Sequence, residues 1–173
     1  MTEKGKGLIR QFEGCKLVAY KCPAGKWTIG YGSTFYADGT PVKEGDKIDQ
    51  ATANQLFDLI VADFEKQVKM ILGDTLVATL PKEAVDALIS IAYNIGTGNF
   101  SKSTLLKRIK ADKNNLGGIE DGFLMWVKAG GKVLNGLQRR RAAEFEMYRD
   151  AILSQYTKWE CYQLGYKEKK EGK

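Results

Sequence analysis

Apolar positions recur at helical spacing along most of this 173-residue chain and give way to alternation in one short region near its start. Leu8, Ile9 and Phe12 fall on one side of a helix over residues 2–12. From Leu17 to Ile48 the pattern changes, and KLVAY, WTIGYG and TPVKEGDKI read as β-rich segments separated by CPAG and ADGT. Pro23 and Gly25 mark a turn, and Asp38-Gly39 is a hairpin signal. These features predict an antiparallel sheet of two or three strands, too small to stand without helices packed on it.

From Asp49 onward the spacing is helical almost to the end. Leu56, Leu59, Ile60, Phe64, Val68 and Ile71 line one stripe of a long helix with Asp49 as its N-cap and no internal Gly or Pro. Such a helix suits a link between a small β-containing lobe and a larger helical one. PKEAVDALISIAYNIG begins at Pro81 and stops at Gly96, and its apolar run through 84–95 predicts a buried central helix. SKSTLLKRIKA, LGGIEDGFLMWVKA and QRRRAAEFEMYRDAIL read as further helices, with GTGNF, DKNN and GGKVLNG as joints. The expected division is one domain over 1–154, its β lobe at about 13–48 and its helical lobe at about 49–154 plus the N-terminal helix. Residues 155–173 form a basic tail ending in the solvated run KEKKEGK.

Composition narrows the chemistry. A net charge of +6 favours an anionic partner, such as nucleic acid, an acidic membrane or a carboxylate-rich wall, without choosing among them. Basic residues are spread along the chain and no nucleic-acid module is recognisable, so nucleic acid ranks last. The chain has no histidine, which excludes Ser-His-Asp and Cys-His nucleophiles, the HExxH zinc helix and histidine bases. Cys15, Cys22 and Cys161 form no CxxC pair, and no phosphate-binding loop is present. Neither metal nor cofactor is expected, and chemistry is left to carboxylates, hydroxyls, thiols and bound water. The start, MTEKGKGLIRQFEG, lacks the apolar core of a secretory signal, and no apolar run is long enough to span a bilayer. The expectation is a monomer made and held in the cytoplasm.

One stretch concentrates the candidate chemistry: EGCKLVAYKCPAGKWTIGYGST, residues 13–34, with Glu13, Cys22 and Thr28. FEG, AYKCPAGKWTIGYGST, ALISIAYNIGTGNF, STLLKRI and WVKAGGKVLNGLQRRRAAE follow one another in the order of the motifs of the phage-type lysozymes, glycoside hydrolase family 24. The chain resembles that family from about Phe12 to about Tyr148. The resemblance implies an α+β fold, with a small antiparallel sheet lobe joined by a long helix to a larger helical lobe and a cleft between them. It also implies hydrolysis of the β-1,4 bond between N-acetylmuramic acid and N-acetylglucosamine in peptidoglycan. As an endolysin acting in phage release, the protein would depend on a holin to reach the wall.

The family's catalytic glutamate, aspartate and threonine carry over to Glu13, Cys22 and Thr28, with eight residues between the first two and five between the second and third. Cleavage needs a proton for the departing oxygen and a group opposite to stabilise or attack the oxocarbenium-like centre. Glu13 is the acid and must be protonated near neutral pH, which a buried arginine partner would oppose. Thr28 suits the holding of a water. Cys22 stands where the family has aspartate, although CPAG variants occur within it. With a reference pKa of about 8.5 a thiol is mostly neutral at pH 7, whereas a thiolate could attack the anomeric carbon. Inversion, retention, a lytic transglycosylase and an inactive wall-binding module all stay open. A Cys15–Cys22 disulfide would act as a redox brake. By the same resemblance Tyr93 and Asn94 face the cleft, Tyr93, Asn94, Arg139 and Arg141 bind substrate, and one of Arg139 and Arg141 points toward Glu13, the others serving as surface charge for the anionic wall. Ser33 stands where GYGHT is the commoner form. Trp27, Trp126 and Trp159 are taken as packing residues.

Overall fold

A computed structural model of the protein describes residues 1–22 and 25–163. The run KEKKEGK and the first two residues of the PAG turn lie outside them. The first helix, α1 (Glu3–Glu13), forms where the apolar spacing predicted it, with the Thr2 hydroxyl accepting the Gly5 N–H at 3.1 Å as its cap. It stops at Gly14, whose φ of +67° suits glycine, so Glu13 is the last helical residue. Two strands follow, β1 (Lys16–Lys21) and β2 (Trp27–Gly30), paired antiparallel with Tyr20 opposite Thr28. The third segment, TPVKEGDKI, makes only isolated bridges, Val18 with Lys47 and Phe35 with Pro41. Its ladder is interrupted because Asp46 turns the loop on itself, accepting from the Tyr36 hydroxyl at 3.0 Å and the Lys43 N–H at 2.9 Å.

The long helix α2 (Gln50–Leu72) starts at Asp49, whose carboxylate accepts the Thr52 N–H at 2.7 Å. Its buried positions are Ala53, Leu56, Phe57, Val61, Val68 and Leu72, so the predicted stripe is corrected: Leu59 is 53% exposed. The helix serves two cores, and its apolar face turns as it passes from one to the other. Leu56 joins Ile29 and Val42 in the small core of the β lobe, whereas Phe57, Val61, Val68 and Leu72 join the large helical core.

Beyond α3 (Asp74–Thr79), the central helix α4 (Lys82–Ile95) runs from Pro81 to Gly96 as predicted, and every residue from Ala84 to Ala92 is buried. Around it pack α5 (Thr97–Lys102), α6 (Thr104–Ala111), α7 (Leu116–Leu124) and α8 (Asn135–Leu153), followed by a short α9 (Lys158–Gln163). Two expectations change here. GTGNF opens α5 instead of serving as a joint, and the helix expected through WVKA ends at Leu124. Lys128–Ala129 (β3) and Lys132–Val133 (β4) form a two-residue hairpin across Gly130 and Gly131, with φ of +57° and +78°. Two successive positive φ values make the turn whose twist matches paired strands. Trp27 and Trp126 pack on the two cores, but Trp159 is 70% exposed and is not a packing residue.

Gly122 sets the approach of α7 to α6, since a Cβ there would lie 2.9 Å from the Leu105 Cα. Backbone cannot give way as a flexible side chain would. Gly122→Ala is therefore expected to destabilise the fold by about 1–3 kcal/mol. The effect should appear as a lower urea midpoint with unchanged denaturant slope. A midpoint equal to the parent's would show that the two helices part without cost.

Candidate active site

Glu13 reaches the site from the last turn of α1, its side chain 25% exposed. Its Oε1 accepts from Arg140 Nη1 at 2.6 Å. The middle arginine of the run makes this contact, and the expectation of Arg139 or Arg141 is corrected. Arg139 is exposed, and Arg141 is fully buried against Glu144. Successive residues on a helix point about 100° apart, so only one of three neighbouring arginines can face a given carboxylate. Arg141 is enclosed in protein and cannot serve as the glycan ligand expected of it.

Arg140 is itself almost completely buried, and every part of its guanidinium is engaged. Nε donates to Glu144 Oε1 at 3.0 Å, Nη2 to the Ser90 carbonyl at 3.4 Å, and the group lies over the Phe12 ring at 5.7 Å. Glu144 Oε1 also accepts from Arg141 Nη2 at 3.0 Å and from the Ser90 hydroxyl at 2.7 Å. Glu13, Arg140, Glu144 and Arg141 thus form a row of alternating charge, its inner three members buried. Burial pulls the Arg141 guanidinium down to about 10 against the opposing attraction of Glu144.

The other two candidates lie on the hairpin. Cys22 directly follows β1, its N–H donating to the Lys26 carbonyl at 2.9 Å and its own carbonyl accepting from Gly25 at 2.8 Å. Thr28 is buried in β2, and its hydroxyl donates to the same Lys26 carbonyl at 3.1 Å. Tyr20 stands opposite Thr28, and Cys22 is two residues beyond Tyr20, so the alternation of an extended chain puts all three on one face. Burial pushes the Tyr20 phenol up, and the Cys22 and Glu13 charges add to the effect. Tyr20 therefore sits within electrostatic reach of both.

Tyr93 lies at the same junction but spends its hydroxyl internally, donating to the Tyr31 carbonyl at 2.6 Å. Burial raises its phenol first, and the nearby Glu13 charge raises it further. Its ring packs on Phe64 of α2 at 5.0 Å, so Tyr93 ties α4 to α2 and, through the Tyr31 carbonyl, to the end of the sheet region. Asn94 is exposed at the helix end. Ser33 is buried, and its hydroxyl has no partner among the described residues. Cys15 and Cys22 flank the whole of β1, seven residues apart along extended chain, which places their Cα atoms about 20 Å apart. A disulfide needs roughly 7 Å or less, so the expected redox brake cannot form in this fold.

The model of the Phage lysozyme family matches residues 10–144. The chain belongs to the phage lysozyme family. An endolysin of Acyrthosiphon pisum secondary endosymbiont phage 1 is 36% identical over 87% of this chain and 99% of its own length. The endolysin of Bacillus phage B103 is also 36% identical, over 86% of this chain but only 53% of that longer protein. Among solved structures, the endolysin of Escherichia coli O157:H7 phage FAHEc1 superposes with a TM-score of 0.73 at 36% identity, covering 86% of this chain and 92% of that one. A P22 lysozyme mutant gives 0.72 at 30% identity, over 86% and 97%. As a phage lysozyme the protein is a glycosidase of the bacterial cell wall, with the α+β lysozyme fold.

Sequence reasoning missed Arg140, Glu144, Ser90 and Tyr20. Two signals were available. Ser90 is a polar residue inside an apolar run, and Arg140 and Glu144 stand four apart on one helix.

Proposed function

We propose that the protein is an endolysin whose Glu13 is the general acid for hydrolysis of the β-1,4 bond between N-acetylmuramic acid and N-acetylglucosamine. As the glycosidic bond breaks, its electron pair goes to the departing oxygen, and Glu13 supplies the proton that neutralises it. The Thr28 hydroxyl already donates to Lys26, so it meets a water only as an acceptor. It accepts a hydrogen bond from that water and leaves an oxygen lone pair for the sugar carbon. Cys22, on the same face, is the second group, and as a thiolate it takes the proton that the water gives up when it bonds to that carbon. The observation that supports this reading best is geometric: Arg140 holds Glu13 at the end of α1 at 2.6 Å, and Thr28 stands opposite Tyr20 on the hairpin that ends at Cys22.

The catalytic unit occupies 1–154, with residues 155–173 as an appendage to it. The glycan strands of peptidoglycan are the substrate, and Asn94, exposed at the end of α4, is in place to touch them. No helix among the described residues is long and apolar enough to cross a membrane. Cytoplasmic storage and release to the wall through a holin complete the reading.

Position 22 provides the test. Purified peptidoglycan would be digested with the parent, Cys22→Ser and Cys22→Asp, and the products weighed. Cys22→Ser is expected to lose about 10²–10⁴ of the rate, and Cys22→Asp to recover most of it. New reducing ends are expected in the parent digest; anhydro ends would move the reaction to transglycosylation. Full activity in Cys22→Ser would remove the thiol from the mechanism.

A further inference from the structure

The general-acid reading leaves a difficulty. Glu13 must hold a proton when the glycan arrives, yet its carboxyl faces the Arg140 guanidinium at 2.6 Å. We propose that Glu144 is the positioning residue that resolves this, holding Arg140 in the fork that reaches Glu13 and cancelling much of the positive charge that Arg140 would present there. The inference rests on the reading of Glu13 as the acid.

Geometry carries it. Glu144 is fully buried on α8, one turn beyond Arg140, and Oε1 gathers three donors: Arg140 Nε at 3.0 Å, Arg141 Nη2 at 3.0 Å and Ser90 Oγ at 2.7 Å. Its Oε2 lies 2.8 Å from Arg141 Nε. Both guanidiniums are fixed cations that match only the charged carboxylate, while the Ser90 hydroxyl can donate or accept and Oε2 has no hydrogen bond among the described residues. Burial raises the Glu144 carboxyl, and the two guanidiniums oppose that rise. Arg140 is fixed at two points by this arrangement. Nε is anchored on Glu144, and the planar fork then aims Nη1 at Glu13.

The charge count follows directly. Two guanidiniums and one carboxylate behind Glu13 leave a net +1, and replacing that carboxylate with an amide leaves +2. The groups facing Glu13 from the surrounding elements are Arg140 and Arg141 on α8, Tyr93 on α4, and Tyr20 with Cys22 on the hairpin. Neither tyrosine is charged below the range in which a phenol ionises, and Cys22 adds negative charge only where its thiol is ionised. Glu144 is therefore the buried negative charge that offsets the arginines. Without it one more uncompensated positive charge stands behind the carboxyl that must give up the proton, and activity is expected to fall off at lower pH.

The test is the pH profile of wall hydrolysis at fixed ionic strength for the parent, Glu144→Gln and Ser90→Ala, each scaled to its own maximum. Glu144→Gln keeps shape and an acceptor oxygen but removes the charge. Its alkaline limb is expected to move down by about one pH unit, a tenfold relative loss above the limb. Ser90→Ala removes one hydrogen bond without altering charge, and its limb should stay with the parent's. A Glu144→Gln profile that superimposes on the parent's would overturn the proposal. So would a shift of equal size in Ser90→Ala, which would mark a general structural effect. Carboxyl carbon resonances of the parent give a reading that needs no variant: Glu144 should stay ionised across the active range, and a protonated Glu144 there would also overturn it. Failure of the underlying reading is separate, and would show as a Glu13→Gln protein that cleaves at the parent's rate.

Discussion

Replacing Glu13 with glutamine is expected to cut the rate of peptidoglycan hydrolysis by roughly 10³-fold, within the range general acids contribute. Glutamine keeps the length and planarity of the side chain, and its oxygen can still accept from Arg140 Nη1 in the place of Glu13 Oε1. It cannot give a proton to the departing sugar oxygen. The loss should therefore fall on turnover, while sedimentation of the protein with intact walls persists. Turbidity clearing of purified walls, with circular dichroism to verify folding, is sufficient. A Glu13→Gln protein within tenfold of the parent would place the acid elsewhere.

The largest stability effect is expected at Arg141, which is fully buried against Glu144. Arg141→Met fills much of the same volume but withdraws one guanidinium from a carboxylate that has no access to solvent. Arg140 still faces Glu144, but Oε2 loses its facing cation and Oε1 one of its three donors, so the cost is expected at the lower end of that for a broken buried pair, about 3 kcal/mol. For a chain of this size that corresponds to a melting temperature lower by roughly 10 °C. The double variant Arg141→Met with Glu144→Gln should lose less than the sum of the two single changes, since both members of the Arg141–Glu144 contact are then gone. Additive losses would show that Arg141 contributes through packing alone.

The arginine run shows what the sequence made legible and what it did not. That a charged residue from RRR would meet Glu13 followed from the resemblance, but the choice among the three depends on the rotation of α8. That rotation is set by burial of Phe145, Tyr148 and Ile152 against the other helices, and those contacts are long-range. The same holds for α2, where one stripe was read and the helix divides its apolar face between two cores. Local signals succeeded where the chemistry is local: Asp49 as a cap, and Pro81 and Gly96 as the ends of α4. The β3–β4 hairpin was misread because the helical spacing of FLMWVKA outweighed a Gly-Gly turn signal that was present. Glu13 and Thr28 were nameable because their spacing is that of the family motif. Glu144 and Ser90 were not, because their importance lies in what stands behind the site.

The unequal size of the two cores has a consequence for how the protein fails. Among the described residues only Ile29, Val42 and Leu56 are buried in the β lobe's own core, against a large cluster in the helical lobe. Local opening costs least where few apolar groups are buried. Backbone amides around Cys22 and Thr28 should therefore exchange with solvent well before those of α4 and α8. A protease or a rise in temperature would meet a molecule that comes apart in two stages. The hairpin that carries Cys22 and Thr28 dissolves first, while Glu13 and its arginine still stand on an intact helical scaffold.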